Sequence, residues 1–142
     1  MIIVLDTNCL IQILPKQAEH RWLYDAILNG TIILALTTEI SLEYEETINR
    51  FYESETLGNN VTNVLLELTN TIKKEVYFRW NAIPKDPDDD KYVDCAIAAN
   101  AAYIITNDVH FNALSKMEFP KIEALSLAQL KEIWEKQQGS PS

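Results

Sequence analysis

Two segments of the 142-residue chain end in the same chemistry. Met1 to Leu5 is an uninterrupted apolar run followed by Asp6-Thr7-Asn8, and Ala102 to Thr106 (AYIIT) is followed by Asn107-Asp108. An aspartate at such a position is accounted for by helix capping or turn chemistry when it stands alone. Two at matching strand ends point instead to a shared carboxylate site, provided the two strands are neighbours. The stretch from Asp86 to Asp94 (DPDDDKYVD) contributes five more carboxylates. Acids at a helix start are stabilised by the macrodipole, and that accounts for most of them. Asp94 fits that account least. It lies a full turn into the expected helix, four residues after Asp90, and like charges at that spacing oppose each other. Val93, Ile97 and Ala101 put it at the border of the buried face, where a lone charge is costly. A divalent cation, Lys91 or a hydroxyl such as Thr7 would each compensate it. Glu43, beside Ile40, Tyr44 and Thr47, is placed to project over the sheet edge, whereas Glu45 and Glu46 are expected to face water.

Other chemistries fit less well. His20 and His110 are the only histidines, and neither has a second His or Cys at metal-ligand spacing, which disfavours zinc. Hard oxygen donors suit Mg²⁺ or Mn²⁺. No histidine is placed to serve a Ser or Cys nucleophile. Asp6 as a phosphate acceptor is a third reading, but the second aspartate that haloacid-dehalogenase-like phosphatases carry two residues on is Asn8 here. The lysine that a receiver domain carries after a later strand is missing from Thr106-Asn107-Asp108.

Composition narrows the field further. The chain has 12 Lys and Arg against 21 Asp and Glu, a net charge of −9, with 47% hydrophobic residues, as in an ordinary folded domain. The acidic balance argues mildly against nucleic-acid binding, which usually leaves a basic footprint. It weighs less where carboxylates converge on metal ions. The three glycines, Gly30, Gly58 and Gly139, are far apart, which removes the Gly-rich phosphate loops. The longest runs without a charge, Ala26 to Thr38 and Cys95 to Asn107, hold 13 residues each, too few for a membrane span. The N-terminus lacks the basic region of a secretory signal, and two cysteines make no disulfide framework, so a cytoplasmic protein with reduced thiols is expected.

The elements that must carry these residues alternate. Strands are expected at Met1 to Leu5, Thr31 to Leu36, Glu75 to Ile83, Ala102 to Thr106 and Lys121 to Leu125. Helices are expected at Glu19 to about Leu28, from a cap at Thr37 or Thr38 to about Phe51 (inner stripe Ile40, Tyr44, Thr47, Ile48 and Phe51), Val61 to about Lys74 and Asp88 to about Asn100. A short helical stretch is expected at Phe111 to Lys116. Ser126 and Gln129 have capping-box spacing ahead of a last helix to about Gln137. Glu53 to Asn60, polar and containing Gly58, reads as a loop. Alternation of this kind implies an α/β fold with a parallel sheet covered on both faces, binding its ligand at the carboxyl ends of strands where the strand order switches. Residues 1–138 read as one domain and 139–142 as a disordered tail.

Taken together, IIVLDTN at the start, TTEISLEYEETI in the second helix and DPDDDKYVDCAIAANAAYIITND in the second half resemble the PIN-domain family. They resemble most the subgroup of toxins from bacterial or archaeal toxin–antitoxin pairs. The resemblance runs from Met1 to Asp108, and its last block is long and specific. It implies a three-layer α/β/α sandwich with a mostly parallel, roughly five-stranded sheet and metal-dependent cleavage of single-stranded RNA. The acids it implies are Asp6, Glu43, Asp94 and Asp108, with Asp90 as an additional ligand, since the DDD run leaves the third acid ambiguous. Asn8 and Thr106 match positions that hold the site, or a bound water, through hydrogen bonds. The resemblance further implies Mg²⁺ or Mn²⁺, an RNA substrate, a protein antitoxin and a homodimer. Lys73, Lys74, Arg79, Lys85 and Lys91 would lie along an RNA backbone or simply form a solvated rim. A catalytically silent scaffold that binds RNA or a protein is the alternative.

Overall fold

In a computed structural model, residues 1–76, 80, 90–109, 111, 114 and 121–138 are described. Among them five strands, β1 (Ile2–Leu5), β2 (Ile33–Leu36), β3 (Ile72–Lys73), β4 (Tyr103–Ile105) and β5 (Glu123–Leu125), form one parallel sheet in the order β3-β2-β1-β4-β5. Among the described residues six helices connect and flank them: α1 (Thr7–Ile13), α2 (Arg21–Leu28), α3 (Thr38–Phe51), α4 (Leu57–Glu67), α5 (Asp90–Ala99) and α6 (Leu127–Gln138). Consecutive residues Ile3, Val4 and Leu5 are all wholly buried, as are Ile104 and Ile105. Successive side chains on a strand point to opposite faces, so both faces of the sheet centre are covered, as expected of an α/β domain.

The chain builds the sheet outward from β1 in one direction through β2 and β3, then returns to the other side of β1 for β4 and β5. The switch in strand order therefore falls between β1 and β4, where a crevice opens at the carboxyl ends of the strands. Leu5 is in register with Ile105. The pairing runs one step further through a hydrogen bond from the Asp6 N–H to the Ile105 carbonyl, 3.0 Å. That places Asp6 and the segment through Asp108 side by side, as the two apolar runs required.

Several expected boundaries move. Helix α1 begins directly after β1, where no element was expected. Its N-cap is Asp6, whose carboxylate accepts from the Asn8 N–H. Helix α4 begins at Leu57, inside the segment expected to be a loop, and ends at Glu67 rather than Lys74. Among the described residues the third strand is Ile72–Lys73, pairing with Ala35 and Leu36, just ahead of the strand expected at Glu75 to Ile83. The chain leaves α4 through a turn held by the Thr71 hydroxyl on the Leu65 carbonyl, 2.6 Å, and β-branched Thr71 and Ile72 then join the open edge of β2. Glu75 and Val76 lie outside any strand. Residues 77–79 and 81–83 of that expected strand, the start of the helix expected from Asp88, most of the stretch from Phe111 to Lys116 and the tail 139–142 lie outside the described residues, as do Arg79 and Lys85.

Helix α5 ends where Asn100 adopts a left-handed conformation (φ 53°), a usual helix stop. The Ser126–Gln129 capping box forms at the start of α6 as expected, with reciprocal bonds of 2.9 and 3.1 Å. On α3 the buried stripe is Ile40, Ser41, Tyr44 and Ile48. Phe51, expected in that stripe, is 64% exposed. Tyr52 turns inward in its place and donates its hydroxyl to the Ile11 carbonyl, 2.7 Å.

Gly58 shows why α4 escapes a local reading. A Cβ there would lie 2.1 Å from the Glu45 carbonyl oxygen, so the residue that looks like a loop signal is the contact point where α4 meets the backbone of α3. The Gly58 N–H also donates to the Asn49 side chain, 2.6 Å. Gly58→Ala is expected to destabilise the protein by about 1–3 kcal/mol through overpacking, although alanine is the better helix former by about 1 kcal/mol. Urea unfolding measures the difference, and an unchanged midpoint would contradict the close helix contact.

Candidate active site

Asp6 is 7% exposed at the end of β1. One carboxylate oxygen accepts from the Asn8 N–H at 3.3 Å, and the other from the Thr106 hydroxyl at 2.7 Å. The same Thr106 oxygen accepts from the Asp108 N–H at 3.0 Å. A threonine hydroxyl carries one proton, and here Asp6 receives it, so the polarity of this link is fixed. Burial pushes the Asp6 carboxyl above its ordinary pKa, and the neighbouring Glu43 and Asp108 charges add to that, while the bonds from Thr106 and Asn8 oppose it. Asp6, Asn8 and Asp108 line an open cleft of about 430 Å³ together with Gln12, Phe51 and Asn107.

Glu43 approaches from α3 and is held from three sides. Its Oε2 accepts from the Thr7 hydroxyl, 2.5 Å, and from the Tyr92 hydroxyl. Its Oε1 pairs with the Lys91 ammonium at 3.0 Å. Thr7 and Tyr92 are also in hydrogen-bond contact, 2.5 Å. The two hydroxyl protons can serve only two edges of that triangle at a time. Lys91 is 8% exposed and its ammonium lies 5.0 Å from the Tyr92 ring centroid. Burial raises the Glu43 carboxyl, but the bonds from Thr7, Tyr92 and Lys91 and the lysine's charge outweigh it, so Glu43 stays below its usual range. Tyr92, buried and donating to a carboxylate, has its phenol pushed well up and remains protonated.

The other acids lie around this core. Asp94, 2% exposed, accepts from the Trp80 N–H at 2.9 Å and lines a second, smaller cleft of about 190 Å³ with Lys91, Thr37, Lys74 and Glu39. Asp90, 8% exposed, opens α5. The structure thus brings Asp6, Glu43 and Asp108 into one electrostatic group, with Thr106 and Asn8 binding Asp6, and sets Asp94 in the neighbouring cleft. Thr7 and Lys91, both candidate partners for Asp94, bind Glu43, and Lys91 also lines the cleft of Asp94. Tyr92 was not anticipated: in the sequence it is one more aromatic at the start of an amphipathic helix, and only the tertiary contact reveals its role. Burial pushes the Cys9 and Cys95 thiols up to about 12, in keeping with thiols packed as small hydrophobes.

Among the described residues, no three of His, Cys, Asp and Glu converge closely enough to hold an ion. The donors nonetheless suit a hard cation. All are oxygens, and Asp6 is destabilised as an anion first by burial and then by two neighbouring carboxylates, a cost that a divalent ion would relieve.

Two solution measurements probe these assignments, both in EDTA. Because the raised pKa of Asp6 makes its ionised form unfavourable in the folded state, the melting temperature of Asp6→Asn relative to wild type is expected to rise with pH. The change should begin near the ordinary aspartate value of about 3.9 and finish above the raised one. A pH-independent difference would contradict the strained carboxylate. Glu43→Gln takes the carboxylate from Lys91 and is expected to cost about 1–3 kcal/mol at pH 7. Partial exposure of Glu43 keeps this below the about 3–5 kcal/mol of a wholly buried pair. That loss disappears as pH falls through the depressed Glu43 pKa, and equal stability of the two proteins at pH 7 would count against the clamp.

Residues 2–110 match the model of the PIN domain family. The fold is similar to that of VapBC2 from Rickettsia felis, solved bound to a DNA fragment from their promoter, with a TM-score of 0.54 over 89% of this chain and 98% of that one, at 18% identity. No curated protein matches the chain by sequence. With the parallel sheet, the paired aspartates at its switch point and a family match spanning most of its length, the chain belongs to the PIN domain family.

Proposed function

We propose that this protein is a metal-dependent endoribonuclease that hydrolyses phosphodiester bonds of single-stranded RNA and is the toxin of a toxin–antitoxin pair. The observation that carries the reading is the Asp6–Thr106–Asp108 link, which presents two carboxylates to one open cleft at the switch point of the sheet. Family membership supports a nuclease, and the likeness to the VapBC2 fold supports a protein antitoxin as partner. In this reading Asp6, Asp108 and Glu43 would hold Mg²⁺ or Mn²⁺, with Asp94 and Asp90 as further acids. A divalent ion bound by these carboxylates would supply an activated water and neutralise charge on the phosphate oxygens. Thr106 and Asn8 orient Asp6. Thr7 and Tyr92 fix one oxygen of Glu43, and the Lys91 ammonium offsets part of the negative charge gathered there.

No helix among the described residues is long and apolar enough to cross a membrane. Action in the cytoplasm and assembly as a homodimer are part of the same reading.

The test is cleavage of a labelled single-stranded RNA with Mn²⁺, beside EDTA and Asp6→Asn controls. Cleavage is expected to fall at least 100-fold in both, and full activity of Asp6→Asn would overturn the site. Metal-supported cleavage that Asp90→Asn abolishes and Asp94→Asn spares would make Asp90 the third acid; the reverse would make it Asp94. RNA binding with no metal-dependent turnover in any condition would favour a catalytically silent scaffold.

A further inference from the structure

Phe51 breaks the pattern of its own helix. It continues the spacing of Ile40, Tyr44 and Ile48, yet its side chain stands 64% exposed at the end of α3. Exposed apolar residues scattered singly need no explanation. This one lines the same cleft as Asp6 and Asp108. Its ring is not loose: it packs edge-on against Tyr52 with centroids 4.9 Å apart and planes at 76°. Tyr52 is tied in turn to the Ile11 carbonyl of α1, itself a wall of the cleft.

The remaining polar wall is made of amides. Asn8, Gln12 and Asn107 are exposed and line the cleft, and among the described residues no lysine or arginine does. Side-chain amides offer a donor and an acceptor together, the complement of a base edge, whereas phosphates call for cations. An aromatic face beside amides is the chemistry by which an unstacked base of single-stranded RNA is held. The volume, about 430 Å³, is that of a small-ligand pocket.

We infer that Phe51, with Asn8, Gln12 and Asn107, forms a nucleobase subsite in which a base next to the scissile phosphate stacks on the Phe51 ring. The inference rests on the ribonuclease reading of the carboxylates and adds where and how the substrate is gripped. The ring supplies sequence-tolerant affinity, since every base has a stacking face, and the amides supply whatever base preference the protein has.

The full chain, in EDTA so that no cleavage occurs, is titrated against a fluorescein-labelled single-stranded RNA of mixed sequence. Phe51→Ala is expected to weaken binding about 5- to 100-fold, with Phe51→Trp retaining it. An oligonucleotide with a single abasic position, moved along the strand, should at one register bind wild type and Phe51→Ala equally. With Mn²⁺, Phe51→Ala should raise KM far more than it lowers kcat. Because the side chain is exposed, its melting temperature should stay near that of wild type, which separates lost stacking from lost fold. Equal RNA affinity of Phe51→Ala and wild type would overturn the subsite while leaving the nuclease reading intact, and would leave the ring to a protein partner. Loss of affinity in Phe51→Ala with no abasic register that restores equality would also overturn stacking. RNA binding by neither protein together with no Mn²⁺-dependent cleavage would overturn the subsite and the ribonuclease reading together, whereas Mn²⁺-dependent cleavage that survives Asp6→Asn would overturn only the carboxylate assignment.

Discussion

The cost of burying carboxylates at one edge of a sheet is the constraint to which much of the structure answers. Asp6 is nearly inaccessible to solvent and has Glu43 and Asp108 in its field. Such a group is tolerated only where hydrogen bonds and counter-charges compensate it. The protein divides the task. Thr106 and the Asn8 N–H satisfy Asp6; Thr7, Tyr92 and Lys91 satisfy Glu43. Compensation is incomplete for Asp6, whose carboxyl remains raised, and complete for Glu43, whose carboxyl is depressed. The two acids therefore differ in what a cation would gain from them. Asp6 gains relief, whereas Glu43 would exchange one positive partner for another.

The topology explains why these groups meet at all. Strand β1 is central, and the residues following it face those following β4 because the chain reverses its direction of sheet growth there. Helix α5 crosses the sheet centre, packing on β1, β2 and β4, and so delivers Lys91 and Tyr92 to the carboxyl edge. Glu43 comes from α3, six residues and nearly two turns past the Thr37 cap. Four chain segments widely separated in sequence thus converge at one point through the parallel order alone.

How much of this was legible in the sequence follows from how local each signal is. The apolar runs ending in Asp6 and at Thr106-Asn107-Asp108, the helix stripe of Ile40, Tyr44 and Ile48, and the Ser126–Gln129 box are written within a few residues, and each appears in the structure. The whole-sheet reading followed from their alternation, and the motifs carried the family. What escaped was set by tertiary contact. Gly58 looks like a break until α3 is laid against it. Ile72–Lys73 is a strand only because β2 has an open edge. Phe51 satisfies the helical period but is displaced from the core by Tyr52, which has a hydroxyl to satisfy inside. Tyr92 and Lys91 carry no local sign that they clamp a glutamate 48 residues or more away. Where the acids belong could be read to the level of the cluster, while the division of Asp94 into a neighbouring cleft could not.

Glu43 and Phe51 lie on one uninterrupted helix, eight residues apart. At about 1.5 Å of rise per residue, that sets them about 12 Å apart along the axis, and helical hydrogen bonding makes the interval stiff. Helix α3 is therefore a ruler between the acidic edge of the sheet and the aromatic wall of the cleft. Its mounting is firm at both ends: Tyr44 donates to the Leu5 carbonyl beside Asp6, and Tyr52 to the Ile11 carbonyl. A bend introduced between those two tyrosines would alter neither the carboxylates nor the ring, only the length that separates them.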